Sequence, residues 1–365
     1  MRITQASVFT QFQPFAAGPY VCRGHTEDGF DSTLVKLETD TGLVGWGEVA
    51  PLGLFYSDAF AGGARAGLAE LLPRLIGEDP RQLARLNVRM DDLLAGHPYV
   101  KTPVDMACWD LLGKVSGLPI AELAGGRFGD TVPLYRSVSQ AEPDAMAAQA
   151  RAFVQAGYRR IQVKVGDDPL DDAERLQAVR AAVGADVLLL ADANGAWTAD
   201  AALRFVQKLG SLDYYLEQPC RSLADNTAVR RHTRQPMILD ESITSLDDLL
   251  AAHQLGVPNG VTLKLSRVGG LSAARLIRDV AVRLGLRVCI EDTGGSDVDT
   301  AATAHLMLST PEANRFHTVD FMNWVTVSNA TGMPPAHDGH LAAPSGPGLG
   351  LHVLEDALEP LAVYA

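Results

Sequence analysis

Short hydrophobic runs alternate with stretches of helical periodicity from residue 132 to residue 320 of the chain. In the helical stretches, apolar residues recur at spacings of three and four over 144–156, 171–183, 199–209, 272–284 and 297–308. The short runs have the length of buried strands and cover 132–138, 159–165, 187–192, 214–217, 236–240, 260–265, 286–291 and 315–320. Eight strand–helix units in about 200 residues predict an α/β fold, a (β/α)8 barrel of the TIM type rather than an open doubly wound sheet.

The residues before the barrel follow a different pattern. Strands are predicted over 1–12, 32–39 and 43–48, and helical spacing follows over 67–76, 83–94 and 103–116. Two irregular loops, 15–29 and 50–58, interrupt the strands and are candidates to cover an active site. We predict an α+β capping domain at 1–125, the barrel domain at 126–325 and a C-terminal segment at 326–365 that packs back on the capping domain and completes it.

Charge and composition narrow the class of protein. A formal net charge of −13 without a basic cluster argues against a nucleic-acid partner, although a local metal ion still permits an anionic substrate. The sequence has no signal-peptide pattern and no apolar run near 18 residues, so we expect no membrane partner and a cytoplasmic location. The four cysteines are far apart, as expected of reduced thiols.

Three acidic residues end consecutive predicted strands. Asp192, Glu217 and Asp240 end strands three, four and five, and neighbouring strands lie about 4.8 Å apart. Three carboxylates that converge there favour Mg²⁺, with Mn²⁺ second, and Asn194 and Glu241 lie beside them as supporting residues. The alternative is that each acid is only solvated or caps the following helix.

Two lysines end predicted strands on opposite sides of the barrel. Lys164 ends strand two and Lys264 ends strand six, so their ammonium groups face each other. A nearby cation and a second lysine would lower the pKa of each lysine; alternatively, each forms a salt bridge with a strand-end acid. Arg267 either lowers the pKa of Lys264 or bridges an acid.

This arrangement suggests a reaction class. A metal ion on a substrate carboxylate stabilises the enediolate that forms when the proton on the α-carbon is removed. One lysine removes that proton, and the other either reprotonates the opposite face or protonates a leaving group. The first outcome is racemisation or epimerisation, and the second is anti elimination. A Schiff-base barrel or a non-catalytic binding protein would leave the three acids unexplained.

The strand-end residues resemble the enolase superfamily, in particular the mandelate racemase and muconate lactonizing enzyme group. The resemblance also rests on Met106-Ala-Cys-Trp109-Asp110-Leu-Leu-Gly-Lys114 and on Gly348-Leu-Gly-Leu351 in the tail, and it covers essentially the whole chain. It implies a modified TIM barrel, Mg²⁺ on the three acids, an acid/base pair of lysines, and a homo-oligomer. One departure is Gln162, since this group usually has lysine there.

The resemblance narrows the substrate to proline derivatives. Gln162-Val-Lys164, with Gly18-Pro-Tyr20 in the cap, is similar to enzymes that dehydrate cis-3-hydroxy-L-proline or that racemise or 2-epimerise proline betaine and 4-hydroxyproline betaine. Asp292 and Thr293 follow strand seven where the betaine enzymes carry tryptophan, and an acid there suits a secondary ammonium group. Alternatively, Asp292 only orients Lys264 or a water molecule. Tyr56 and Trp324 offer aromatic faces for a quaternary ammonium group, so the betaine alternative stays open.

Overall fold

The computed structural model describes residues 1–22 and 24–365. Its centre is a parallel eight-stranded sheet in which each strand pairs with the next one along the chain. We number these barrel strands one to eight: Arg136–Val138, Arg160–Lys164, Leu188–Asp192, Tyr215–Glu217, Met237–Leu239, Gly260–Lys264, Arg287–Glu291 and Arg315–Thr318. A parallel bridge between Leu134 and Thr318 joins the two edges of the sheet. The predicted barrel is confirmed.

Helices connect the barrel strands, as the periodicity predicts. They cover Pro143–Gln155, Pro169–Val183, Ala199–Leu209, Leu223–His232, Leu246–Gln254, Leu265–Val268, Leu271–Arg283 and Asp297–Leu308, and 3-10 turns follow at Glu312–Asn314 and Phe321–Asn323. Leu190, Ile238, Cys289 and Phe316 form a small apolar cluster on four different strands. Most other apolar strand residues belong to the large core that includes the helices.

The prediction of the first barrel strand, 132–138, is wrong in one respect. Val132–Pro133 pairs antiparallel with His340–Leu341 of the C-terminal segment, and only Arg136–Val138 belongs to the barrel. Pro133 has no amide hydrogen to donate, which suits a two-residue edge pairing better than a central strand. The segment therefore splits at Leu134 and Tyr135.

The capping domain has a four-stranded antiparallel sheet with Ile3–Pro14 and Gly29–Thr39 at its centre. Val44–Val49 forms one edge, and Glu359–Tyr364 from the C-terminus pairs with the first strand on the other. The C-terminal tail thus completes the capping sheet, as predicted. The remaining short strands are Tyr20–Cys22 with His25–Glu27, and Ala330–Thr331 with His352–Val353.

The helices of the capping domain are Ala61–Leu71, Leu83–Leu93, Pro98–Ser116 and Ile120–Leu123, with 3-10 turns at Leu72–Arg74 and Glu355–Ala357. The boundaries predicted for two of these helices, 67–76 and 103–116, are wrong. Pro98 takes the first helical turn, where a missing amide hydrogen costs nothing, and Pro103 is accommodated inside the helix. Within the described residues, no helix is both long and apolar enough to cross a lipid bilayer.

Candidate active site

A cavity of about 40 Å³ lies where the carboxyl ends of the barrel strands meet the loops of the capping domain. We call it the inner cavity. A volume of this size suits a small ligand. Its barrel residues are Tyr135, Gln162, Lys164, Asp192, Lys264, Glu291, Asp292, Thr293, Phe321 and Trp324, and its capping residues are Phe15, Tyr20, Cys22, Phe30, Leu52 and Tyr56.

The two lysines both reach the inner cavity and are almost fully buried. Lys164 Nζ donates to Asp192 Oδ2 at 2.5 Å and to Asn194 Oδ1 at 3.2 Å. Lys264 Nζ donates to Glu291 Oε1 at 3.0 Å and lies 3.6 Å from Asp240 Oδ2. Each lysine therefore forms the salt bridge to a strand-end acid that the sequence left open as the alternative.

The lysine pKa values were expected to be lowered by a nearby cation, and the protein's own carboxylates act in the opposite direction. Burial lowers the pKa of Lys164, but the facing Asp192 carboxylate outweighs it and holds the pKa well above its usual value. Burial likewise lowers the pKa of Lys264, and Asp240 and Glu291 more than reverse the effect. The reason is that a carboxylate, rather than a cation, is the nearest charge to each ammonium group.

The three strand-end acids are buried, with exposed fractions of 1% for Asp192, 1% for Glu217 and 2% for Asp240. Strand pairing places Asp192 directly between Lys164 and Glu217. Asp192 lines the inner cavity, whereas Glu217 and Asp240 are not part of its lining. The acids therefore end neighbouring strands as predicted, but only one of them borders the cavity.

Polar side chains hold Glu217 and Asp240 in place. Gln162 donates to Glu217 Oε2 at 2.9 Å, and Thr262 donates to Glu217 Oε1 at 2.8 Å. Tyr56 donates to Asp240 Oδ2 at 3.0 Å, and the Arg267 guanidinium pairs with the other oxygen of Asp240. Gln162 is thus a hydrogen-bond partner of a carboxylate.

Burial and mutual repulsion disfavour the charged forms of Glu217 and Glu241. Burial, followed by repulsion from Asp192 and Asp240, raises the pKa of Glu217 well above its usual value. The same causes, burial first, raise the pKa of Glu241 to about 7, and Glu241 Oε2 is buried without a hydrogen-bond partner among the described residues. Asn194 donates to the other oxygen of Glu241 at 3.0 Å.

The donor set fits a hard divalent cation, because such ions bind carboxylate oxygens and relieve the repulsion between them. In the described part of the chain, no three acidic, histidine or cysteine side chains already converge on one point. Lys164 and Arg267 instead form salt bridges with Asp192 and Asp240.

The predicted substrate-binding residues Tyr56, Gln162, Asp292, Thr293 and Trp324 all line the inner cavity. The Asp292 carboxylate is already occupied, since it accepts from the backbone amides of Ser266 at 2.9 Å and of Thr293 at 2.7 Å and from the Ser266 hydroxyl. Burial raises the pKa of Asp292 to about 6. Glu291, rather than Asp292, accepts the hydrogen bond from Lys264.

One tyrosine of the cavity, Tyr135, was missed by sequence reasoning, and a second, Tyr20, was named only as part of a motif. Tyr135 donates to Glu291 Oε2 at 2.5 Å, although it precedes strand one and carries no local signal. Tyr20 lies in the loop that was predicted to cover the site, and burial raises its pKa to about 12. The roof of the cavity is apolar, with Phe15 and Phe30 packed edge to face at 4.8 Å.

Opposed lysines beside strand-end carboxylates, in a barrel capped by an antiparallel sheet, define an enolase-type fold and site. Two family models match the chain: "Mandelate racemase / muconate lactonizing enzyme, N-terminal domain" over residues 4–125, and "Enolase C-terminal domain-like" over residues 145–357. The chain belongs to the mandelate racemase and muconate lactonizing enzyme family of the enolase superfamily.

Individual relatives narrow the comparison. The chain is 43% identical over 367 residues to cis-3-hydroxy-L-proline dehydratase of Roseibium aggregatum, with 100% of both chains covered. A crystal structure of a putative mandelate racemase/muconate lactonizing enzyme from Roseovarius nubinhibens, complexed with magnesium, superposes with a TM-score of 0.97 at 37% identity over 100% of both chains. The N-succinyl-L-Arg/Lys racemase of Bacillus cereus is 28% identical over 100% of this chain and 99% of its own.

Proposed function

We propose that the protein is a magnesium-dependent lyase that dehydrates cis-3-hydroxy-L-proline to Δ1-pyrroline-2-carboxylate. The observation that carries the proposal is that Lys164 and Lys264, from strands two and six, line one small buried cavity. Similarity over the full length to a cis-3-hydroxy-L-proline dehydratase supports the substrate.

The stereochemistry of the substrate fits lysines on opposite sides. In cis-3-hydroxy-L-proline, the hydroxyl group is cis to the carboxylate and therefore trans to the α-hydrogen. One lysine takes the α-proton, a carbon–carbon double bond forms, and the other lysine protonates the departing hydroxyl so that it leaves as water. The resulting enamine tautomerises to Δ1-pyrroline-2-carboxylate.

Asp192, Glu217 and Asp240 are the residues that would hold Mg²⁺, with Mn²⁺ as the second choice. When bound, the ion supplies electrostatic stabilisation of the negative charge that develops on the substrate carboxylate. Gln162 and Thr262 hold Glu217 in position, and Tyr56 and Arg267 do the same for Asp240. Asn194 and Glu241 support the same cluster. The Asn194 backbone amide donates to Asp192, and the Asn194 side chain donates to Glu241.

Racemisation or 2-epimerisation of a proline betaine is the second candidate, because Tyr56 and Trp324 both line the inner cavity. Each ring already has a cation near its face. Lys264 Nζ lies 5.5 Å from the centre of the Tyr56 ring, and the Arg136 guanidinium lies 5.3 Å from that of Trp324. A quaternary ammonium group would compete with these cations, so the free amino acid is favoured.

Proton NMR in D2O with Mg²⁺ tests the proposal, with cis-3-hydroxy-L-proline and proline betaine offered in separate samples. We expect pyrroline-2-carboxylate to form in the first sample and no change in the second. Lys164→Ala and Lys264→Ala should each reduce turnover by at least about a hundredfold, as for loss of a general acid or base. The exposed Lys208→Ala is the control. Exchange of the betaine α-proton without dehydration would establish the second candidate instead.

A further inference from the structure

A second cavity of about 320 Å³ lies outside the inner cavity, and Phe15, Tyr20 and Trp324 belong to the walls of both. We call it the outer chamber. Its remaining wall comes from the loop 16–19, from strand one and the residues after it, from the helix Pro143–Gln155, and from Asn323. A ligand that passes between the outer chamber and the inner cavity meets those three aromatic residues at the boundary.

One cationic side chain dominates the wall of the outer chamber. The Arg136 guanidinium carbon lies 5.3 Å from the ring centre of Phe153, 5.4 Å from that of Tyr158 and 5.3 Å from that of Trp324. Three aromatic rings around one guanidinium fix its orientation before any ligand arrives. The side chain is 17% exposed, so part of it remains open while most of it is desolvated.

The guanidinium is poorly satisfied by the protein. Its nearest carboxylate oxygen, Asp320 Oδ1, lies 3.5 Å from Nη1, but Nη1 has no hydrogen-bond acceptor among the described residues. The other oxygen of Asp320 is held by Tyr158 at 3.1 Å and by Asn323 at 2.8 Å. Asp320 therefore balances the charge of Arg136 without accepting a hydrogen bond from it.

A second donor on the same wall is also unsatisfied. Trp324 Nε1 is buried and has no acceptor in the described part of the chain. By contrast, Trp109 Nε1 donates to Ser272 and Trp197 Nε1 donates to the carbonyl oxygen of Asp167, both at 2.9 Å. Buried donors in folded proteins usually have an acceptor, and these two unsatisfied donors belong to side chains of one cavity wall.

We propose that the outer chamber is a carboxylate-binding site, anchored by Arg136 and Trp324, that receives the substrate before it enters the inner cavity. A carboxylate matches the planar fork of a guanidinium and accepts from an indole N–H at the same time. In a chain with a net charge of −13, this caged cation offers an anionic ligand a favourable entry point. The role in substrate entry rests on the proposed function, whereas carboxylate binding does not.

Binding is tested on the whole protein by nitrogen-15 NMR of the four tryptophan indole groups, with sodium acetate as the probe and sodium chloride at equal ionic strength as the reference. Trp324→Phe assigns the signal. We expect acetate to shift the Trp324 signal in a saturable way and to leave those of Trp109 and Trp197 in place. A Trp324 signal that does not respond overturns the proposal.

Variants of the anchor separate binding from fold. Arg136→Met should weaken acetate binding about tenfold or more, as expected for loss of a charge-assisted hydrogen bond. The exposed Arg231→Met is the control and should bind as the wild type does. If Arg136→Met does not fold, Arg136→Lys carries the test: it keeps the charge but lacks the fork, so weaker binding supports the proposal and unchanged binding refutes it.

Kinetics test the role in substrate entry. With cis-3-hydroxy-L-proline, Arg136→Met should raise KM about tenfold and change kcat by less than about twofold, since Arg136 is not part of the inner cavity. An unchanged KM overturns the entry role. If acetate shifts Trp324 but hydroxyproline is not dehydrated, the proposed function fails and carboxylate binding stands. If dehydration is normal and the Trp324 signal does not respond, carboxylate binding fails and the proposed function stands.

Discussion

Lys264 and Glu291 form an ion pair of 3.0 Å between the last residues of strands six and seven, which are paired directly in the sheet. Tyr135 donates to the second oxygen of Glu291 at 2.5 Å. Tyr135 precedes strand one, so this hydrogen bond crosses the seam at which the barrel closes. The position of a candidate catalytic lysine therefore depends on residues from both sides of the seam.

Tyr135→Phe tests this dependence. The substitution leaves one oxygen of the buried Glu291 carboxylate without its donor, so we expect the free energy of unfolding to fall by about 1–3 kcal/mol. Loss of the restraint on Glu291 should also lower kcat between about tenfold and a hundredfold through misplacement of Lys264. Urea unfolding and initial rates measure the two effects. Tyr214→Phe is the matched control, because the buried Tyr214 hydroxyl has no partner among the described residues and its removal should cost little.

Glu48 connects the capping domain to the barrel. It is fully buried on the strand Val44–Val49 and accepts from Gln13 at 2.8 Å, from Ser32 at 2.7 Å and from the backbone amide of Asp299 at 3.0 Å. Asp299 lies in the first turn of the helix that follows strand seven. A negative charge such as that of Glu48 is favourable near this end of a helix. The one carboxylate thus joins two capping strands to a barrel helix.

Glu48→Gln should lower the free energy of unfolding by about 3 kcal/mol, because the amide group removes the charge and turns an N–H₂ toward existing donors. Thermal or urea unfolding measures the loss. Glu70→Gln, at an exposed position of the same domain, should change stability by less than about 0.5 kcal/mol. Equal effects of the two substitutions would refute the assigned role of Glu48.

Gly47 allows the long capping helix to approach the sheet. A methyl group at this position would collide with the carbonyl group of Pro103 in the helix Pro98–Ser116. Because both partners are backbone and cannot rotate away, Gly47→Ala should destabilise the protein by several kcal/mol, on the order of the largest core overpacking effects. Gly62→Ala is the control, since that helical position has room for a methyl group and should be neutral or slightly stabilising. Differential scanning calorimetry of both variants makes the comparison.

His305 makes stability depend on pH at a distance from the candidate site. It is fully buried, accepts from the backbone amide of Ala121 at 3.3 Å, and lies 3.1 Å from the carbonyl oxygen of Leu349 through its other ring nitrogen. Burial lowers the pKa of His305 to about 4 from its usual 6.5. Between these values the unfolded chain binds a proton that the folded chain does not, so stability falls as the pH decreases.

We expect His305 to contribute a loss on the order of 2 kcal/mol of unfolding free energy between pH 7 and pH 5. His305→Gln keeps a polar side chain but removes the titration, so the difference in stability between the two pH values should be smaller in this variant. Urea unfolding at both pH values measures it. The same loss in both proteins would show that other groups account for the acid sensitivity.

Much of this molecule follows from local sequence pattern. The period of a helix and the length of a buried strand are set by neighbouring residues, so the barrel and most of its helices were predictable. The same pattern determines where the residues at the ends of the strands lie. For that reason Lys164, Asp192, Glu217, Asp240 and Lys264 could be assigned to one end of the barrel without coordinates.

The sequence left the pairing of charges open where distant segments meet. Nothing near Asp292 in the chain indicates that Ser266 occupies its carboxylate, and nothing near Lys264 indicates that Glu291 and Asp240 raise its pKa. The donation of Tyr135 to Glu291 exists only because the barrel closes.

Sequence alone therefore determined the fold and the location of the candidate chemistry, since both depend on short-range periodicity. The tertiary structure alone decided which charges are paired and which donors remain unsatisfied, including Arg136 and Trp324 in the outer chamber. The physical reason is that electrostatic and hydrogen-bonding energies depend on distances of a few ångströms between residues that are far apart in the chain.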